Sequence, residues 1–166
     1  MQREVQLADP TSGIVQLVRN TADAKLLGAE IEGLFQISSS LIFDFSLGLL
    51  DASYTEVLFD LNGDGVINDT DKDLKLPRAA NVTYSLGLVY EADISSWGSA
   101  STRLNYAYRD ACAFTDDNRD FLLDQDILNL GFDIRPTNAN WTVSVYGRNP
   151  RVYSSMTVSM RKDRPS

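Results

Sequence analysis

The chain has 166 residues and a formal charge of −8, because 15 lysines and arginines stand against 23 aspartates and glutamates. This balance argues against nucleic acid as a partner, since phosphate binding needs clustered basic side chains. The absence of histidine and the single cysteine, Cys112, exclude serine–histidine and cysteine–histidine catalysis, an internal disulfide and a cysteine-based zinc site. We therefore expect a protein that is not an enzyme.

Alternation of apolar and polar residues predicts antiparallel β-strands along nearly the whole chain. In SLIFDFSLGLL, residues 40–50, every second residue from Leu41 to Leu49 is apolar, whereas the positions between them include Asp44 and Ser46. The pattern recurs in NVTYSLGLVY, STRLNYAYRD, ILNLGFDI and WTVSVYGRN. We expect an all-β fold with a kink in the second strand around residues 20–24. The predicted strands lie near residues 2–8, 13–37, 40–56, 77–91, 98–113, 124–136, 141–149 and 152–161.

Such alternation is compatible with two architectures. A soluble antiparallel sandwich buries the apolar faces of two sheets against each other. A calcium-stabilised sandwich that binds carbohydrate or another protein is therefore one interpretation. A transmembrane β-barrel turns the same faces toward lipid and needs only ~10 residues per strand. No apolar run reaches the ~18 residues of a membrane-spanning helix, so strands would have to cross the membrane.

Three features favour the barrel. The non-apolar face holds Arg, Asp, Asn, Ser, Thr and Gly over whole strands, which suits a water-filled lumen. Short connections near residues 38–40, 92–97 and 136–140 alternate with long ones near residues 57–76 and 114–123, as is typical of outer-membrane barrels. Aromatic residues also lie toward the strand ends, as interfacial residues do: Tyr90, Trp97, Tyr106, Tyr108 and Trp141.

One pair of carboxylates, Glu30 and Glu32, lies on the polar face of its predicted strand. Two carboxylates can act together as acid and base only beside a substrate cleft and with a raised pKa. We expect them instead to pair with arginines of the lumen, such as Arg103 and Arg109.

The long connection near residues 57–76 contains a calcium-type motif, DLNGDGVINDTD. Ca²⁺ takes six to eight oxygen ligands, and a 12-residue loop supplies them from positions 1, 3, 5, 7, 9 and 12, with glycine at position 6. Gly65 occupies position 6, and the aspartate at position 12 resembles the calcium loops of dockerins. The alternative is a solvated acidic loop rich in turn-forming residues. The predicted ligands of a structural Ca²⁺ are Asp60, Asn62, Asp64, the Val66 carbonyl, Asn68 and Asp71.

Several segments together resemble the last strands of TonB-dependent outer-membrane receptors, in the same order. They are NTADAKLLGAEIEG, LGLLDASYTEV, LPRAANVTYSLGLVYE, STRLNYAYRD, LLDQDILNLGFDIRP and NWTVSVYGRNPRVY. The resemblance implies a 22-stranded barrel closed by a plug in the bacterial outer membrane. Such a receptor takes up a scarce nutrient, such as a ferric siderophore or cobalamin, with energy from TonB.

On this interpretation residues 1–166 form the C-terminal part of the barrel, about eight strands, with the calcium-type loop outside the cell. The expected partners are outer-membrane lipid, the remainder of the barrel and its plug, TonB through the missing N-terminal part, and a small-molecule ligand. Two departures from the family stand out. GRNP is followed almost at once by the last predicted strand, and the chain ends on polar residues instead of an aromatic one. The strands could close into a small barrel or leave an open sheet with two unpaired edges.

Overall fold

The computed structural model describes residues 2–9, 13–20, 22–150 and 155–162. These described residues form eleven β-strands and one helical turn, which confirms the all-β prediction. No helix among them is long and apolar enough to cross a membrane. The elements are β1 Gln2–Asp9, β2 Gly13–Asn20, β3 Ala22–Ser38, β4 Leu41–Val57, α1 Asp69–Lys72, β5 Val82–Ile94, β6 Gly98–Arg109, β7 Cys112–Ala113, β8 Phe121–Leu122, β9 Gln125–Pro136, β10 Trp141–Pro150 and β11 Ser155–Lys162.

Seven strands form one sheet in the order β11-β10-β9-β6-β5-β4-β3. The strand pairs from β11 to β4 are all antiparallel. Neighbours in the chain are neighbours in the sheet, except that the small β7–β8 hairpin intervenes between β6 and β9. Strands β1 and β2 form a separate hairpin. Among the described strands the large sheet is open, with β3 and β11 at its edges.

Strand register places the apolar residues of neighbouring strands side by side. One row runs from Phe43 through Leu88 and Leu104 to Leu130. Because side chains alternate between the faces of a strand, these rows build one apolar face. The face is not covered, since Leu104 is 39% and Leu130 51% exposed. A sandwich would bury these side chains in its core, so their exposure favours an apolar face on the outside of a barrel wall.

The opposite face is polar. Its central row runs from Asp44 through Gly87 and Asn105 to Asn129. Arg103 of β6 forms an ion pair with Asp133 of the neighbouring strand β9, with 2.6 Å between the guanidinium and the carboxylate. The expected pairing of Arg103 with Glu30 or Glu32 is therefore wrong. Strand β3 lies three strands from β6, roughly 14 Å between backbones at the usual strand spacing, whereas β9, which carries Asp133, is the direct neighbour of β6.

Strand boundaries differ from the predicted ones mainly near the long connections. The predicted second strand divides into β2 and β3 within the region where a kink was expected. Strand β5 begins at Val82 instead of residue 77, since Arg78 has a left-handed backbone with φ of 60° that ends extended structure there. The strand predicted to reach residue 113 ends at Arg109, and the chain then enters the β7–β8 hairpin.

The described residues divide into two compact units. The sheet unit comprises Ala29–Leu49, Val82–Asp110 and the described part of Asp124–Ser166. The loop unit comprises the described part of Met1–Gly28 with Leu50–Asn81 and Ala111–Leu123. Its hydrophobic core joins strand residues to residues of the long connection: Ala22, Tyr54, Val57, Leu61 and Leu76.

Candidate functional site

The first half of the calcium-type motif is a turn built around Asp60. Its two carboxylate oxygens accept hydrogen bonds from the backbone N–H groups of Gly63 at 2.7 Å and Gly65 at 2.8 Å. Both glycines are left-handed, with φ of 79° and 89°. Other residues reach this conformation only with strain, so glycine at position 6 gives the turn the freedom that it needs.

The second half is organised by Asp71, which has no exposed surface. One of its oxygens accepts from the N–H groups of Leu61 at 2.8 Å and Asn62 at 3.1 Å. The other accepts from the N–H of Asn68 at 3.0 Å. Burial by itself would raise the pKa of Asp71, but the three N–H donors stabilise the anion and hold the pKa below its ordinary value of 3.8.

A single helical turn, α1, follows directly after Asn68. The Asn68 side-chain oxygen accepts from the N–H of Thr70 at 2.7 Å, and Asp71 caps the Asn68 N–H in return. This reciprocal capping satisfies N–H groups that the start of a helix leaves without partners. The alternation pattern does not predict α1, although an asparagine followed three residues later by a carboxylate is a capping signal.

All six predicted ligands lie in one compact stretch of chain, but their oxygens bond mainly to the N–H groups of the loop. Asn62 accepts from the N–H of Asp64, and Asp64 accepts from the N–H of Val66, each at 2.8 Å. Within the described ranges, no three carboxylate or thiol side chains gather as they would around a metal ion. The arrangement is a hydrogen-bonded acidic loop, and the calcium site stays a prediction.

The second long connection, near residues 114–123, is a short hairpin. Strands β7 and β8 pair, and the Phe114 N–H donates to the Asp120 carbonyl at 2.8 Å. At the tip, the Thr115 hydroxyl and the Arg119 N–H hold the pKa of Asp117 below its ordinary value. Asn118 lies beside these residues and bonds to Lys75 of the other connection.

The polar face of the sheet unit contains a shallow concavity of about 650 Å³ next to the short turns. Serine and threonine hydroxyls line it, together with the Arg103–Asp133 pair, Glu91 and Arg135. The lining is mostly hydrophilic, as expected for a wall that faces water or a polar protein surface.

The amino-acid sequence of the chain matches a known protein family. A family model described as TonB dependent receptor-like, beta-barrel, matches residues 2–149. No curated protein and no solved structure matches the chain in the same comparisons. The family match spans nearly all of the described strands. The chain therefore belongs to the TonB-dependent receptor-like β-barrel family, whose members are transporters of the Gram-negative outer membrane rather than enzymes.

Proposed function

We propose that this chain forms part of the wall of an outer-membrane receptor that takes up a scarce nutrient, such as a ferric siderophore or cobalamin, with energy from TonB. Family membership supports the transport class. The observation that carries the proposal is the exposed apolar face backed by a polar one. It suits a wall with lipid on one side and a water-filled lumen on the other.

Aromatic side chains mark the two ends of this wall. Near the long connections, the Tyr84 ring lies 5.0 Å from that of Tyr108 and 5.9 Å from that of Tyr106. Near the short turns, Tyr90 is 49% and Trp97 50% exposed. Tyrosine and tryptophan favour the boundary between lipid and water, so we assign these two groups to the outer and inner membrane interfaces.

The remaining partners follow from the open sheet and its polar face. Strands β3 and β11 present edges that can pair with the remainder of the barrel. The polar concavity would face the plug. TonB would contact that plug, and the receptor would bind a small-molecule ligand. The soluble sandwich is the weaker interpretation, because it leaves the exposure of Leu104 and Leu130 unexplained.

Uptake by whole cells tests the proposal. Deleting the gene that encodes this chain should abolish TonB-dependent accumulation of a labelled ferric siderophore or of labelled cobalamin, and restoring the gene should rescue it. Unchanged uptake of every compound in a panel of both classes would contradict the nutrient assignment. The membrane assignment has a separate check. Brominated lipids should quench the fluorescence of Trp97 in reconstituted protein, and no quenching would contradict the wall.

We further propose that the calcium-type loop binds one structural Ca²⁺ outside the cell. The 12-residue spacing and the left-handed Gly65 support this, as do the half-buried Asp60 and the exposed Asp64, whose charges repel each other without a cation. Asp71 would have to share its oxygens between the ion and its N–H donors. The site should therefore be weak, which suits the millimolar affinities of extracellular modules.

Calorimetric titration of the detergent-solubilised protein decides the calcium proposal. Asp64→Ala removes a central ligand and should abolish the heat of Ca²⁺ binding. Gly65→Val should also abolish this heat, because valine is strained at a φ of 89°. The strain comes from the backbone alone, since a Cβ at this position meets nothing within 4 Å. Asp69→Asn, outside the ligand set, is the control and should bind as the parent does. No heat at millimolar Ca²⁺, or an equal response to the smaller Mg²⁺, would contradict the proposal.

A further inference from the structure

The two long connections of the loop unit contact each other. We name residues 58–81 loop A and residues 111–123 loop B. The Asn118 side chain of loop B bonds twice to the backbone of Lys75 in loop A. Its oxygen accepts from the Lys75 N–H at 2.7 Å, and its amide nitrogen donates to the Lys75 carbonyl at 2.8 Å. One side-chain amide therefore pairs with loop A as a neighbouring strand would.

A second contact lies close to the first. The Arg78 N–H of loop A donates to the Ala113 carbonyl of loop B at 2.7 Å. The Arg78 guanidinium lies 5.5 Å from the centre of the Phe114 ring, within the range of a cation–π interaction. Arg78 has φ of 60°, which is unfavourable for a side chain of its size and persists only where surrounding contacts hold it.

These contacts are continuous with the interior of each loop. In loop A, Lys75 precedes Leu76, which packs in the same core as Leu61, and the Leu61 N–H donates to buried Asp71. In loop B, Asn118 belongs to the hairpin tip that the Phe114–Asp120 bond closes. An unbroken set of contacts therefore links the acidic motif of loop A to the tip of loop B.

We propose that loops A and B form one cooperative unit, the loop cap, fastened by Asn118. The two loops fold and open together, so a ligand or cation that orders one loop also stabilises the ordered state of the other. Coupling of this kind is reciprocal. The inference needs neither calcium binding nor transport, because it depends only on contacts within the loop unit.

Hydrogen exchange of the refolded chain in detergent with a chelator tests the loop cap. The variant is Asn118→Gly, because glycine keeps the left-handed backbone, φ 55°, and loses only the side-chain contacts. We expect the Leu61 and Asn62 amides, which are remote from the substitution, to exchange about tenfold faster. This is the change in exchange rate that the net loss of one or two hydrogen bonds would cause. Ser95→Gly is the matched control, since Ser95 is also left-handed, φ 52°, in a short turn. It should leave both loops unchanged.

The reciprocal experiment keeps the inference testable if Asn118→Gly refolds poorly. Asp71→Asn disturbs loop A, and the Phe114 and Asp120 amides of loop B should then exchange about tenfold faster, because coupling acts in both directions. Faster exchange confined to the loop that carries the substitution, in either experiment, would overturn the loop cap. Faster exchange in both loops together with unchanged exchange in β5 would establish it.

Discussion

At the scale of single residues, Asp71 illustrates how an acidic loop can be ordered from within. Its carboxylate receives three backbone N–H groups while fully buried. Hydrogen bonds to an anion are stronger than those between neutral groups, and unpaired buried N–H groups would be costly. Asp71 therefore stabilises loop A with or without a cation.

Replacing this carboxylate should loosen loop A while the sheet stays intact. In Asp71→Asn an amide nitrogen takes the place of one acceptor, so a buried N–H donor faces another donor. We expect a loss of about 1–3 kcal/mol in local stability, seen as faster tryptic cleavage after Lys75. The control is Asp69→Asn, whose side chain is 92% exposed and whose ion pair with Lys72 contributes little. Equal cleavage rates in the two variants would contradict the role given to Asp71.

The same carboxylate makes loop A sensitive to acid. The pKa of Asp71 is lowered in the folded loop, so the folded state binds fewer protons than the unfolded state. Its stabilisation is then complete above the ordinary pKa of 3.8 and is lost as the pH falls through the folded value. Exchange at the Leu61 amide, corrected for its intrinsic rate, should accelerate below about pH 4. The acceleration should be absent in Asp71→Asn, and an identical pH profile in both proteins would refute the assignment.

At the scale of elements, the β5–β6 turn depends on close approach to β9. Gly98 is buried and lies opposite Pro136. A Cβ added there would meet the Arg135 carbonyl oxygen and lie 2.7 Å from the Cα of Pro136. Because both are backbone atoms, rotation of a side chain cannot relieve the overlap.

Gly98→Ala should therefore destabilise the sheet by roughly 1–3 kcal/mol, the usual effect of overpacking. Gly147→Ala in β10 is the matched control, since a Cβ there meets nothing within 4 Å, and its effect should be below about 0.5 kcal/mol. Urea unfolding in detergent, followed by circular dichroism, compares the two. If Gly98→Ala proved as stable as Gly147→Ala, the close approach at this turn would be wrong.

At the scale of the whole molecule, adjacent residues of β9 differ in which medium they face. Leu130 belongs to the exposed apolar row and Asn129 to the polar row. A charge on a lipid-facing side chain is unfavourable by about 2–4 kcal/mol near the bilayer midplane, whereas the lumen tolerates it.

Reconstitution into lipid vesicles should separate these two positions. Leu130→Arg should lower the unfolding free energy by about 2–4 kcal/mol, while Asn129→Arg should leave it nearly unchanged. A larger loss for Asn129→Arg in vesicles would reverse the assignment of the two faces.

Period-two alternation by itself determined most of the strands and their two faces, and the order of the quoted segments carried the resemblance to the family. It succeeds at Phe43, Leu88, Leu104 and Leu130 because the direction of a strand side chain depends only on its position along the strand. It also predicted correctly that long connections interrupt the alternation. The glycine and aspartate spacing likewise indicated a tight turn around Asp60 and Gly65, since turn chemistry is local.

Only the tertiary structure decided what the long connections do. Asn118 and Lys75 lie 43 residues apart in the chain, and nothing in TDDNRD or DLKLP indicates that they bond. Arg103 likewise pairs with Asp133 instead of a glutamate of β3, because strand order sets which side chains come within reach. Local pattern specifies directions, whereas partners depend on which distant segments the fold brings together, and that choice is set by contacts across the whole chain.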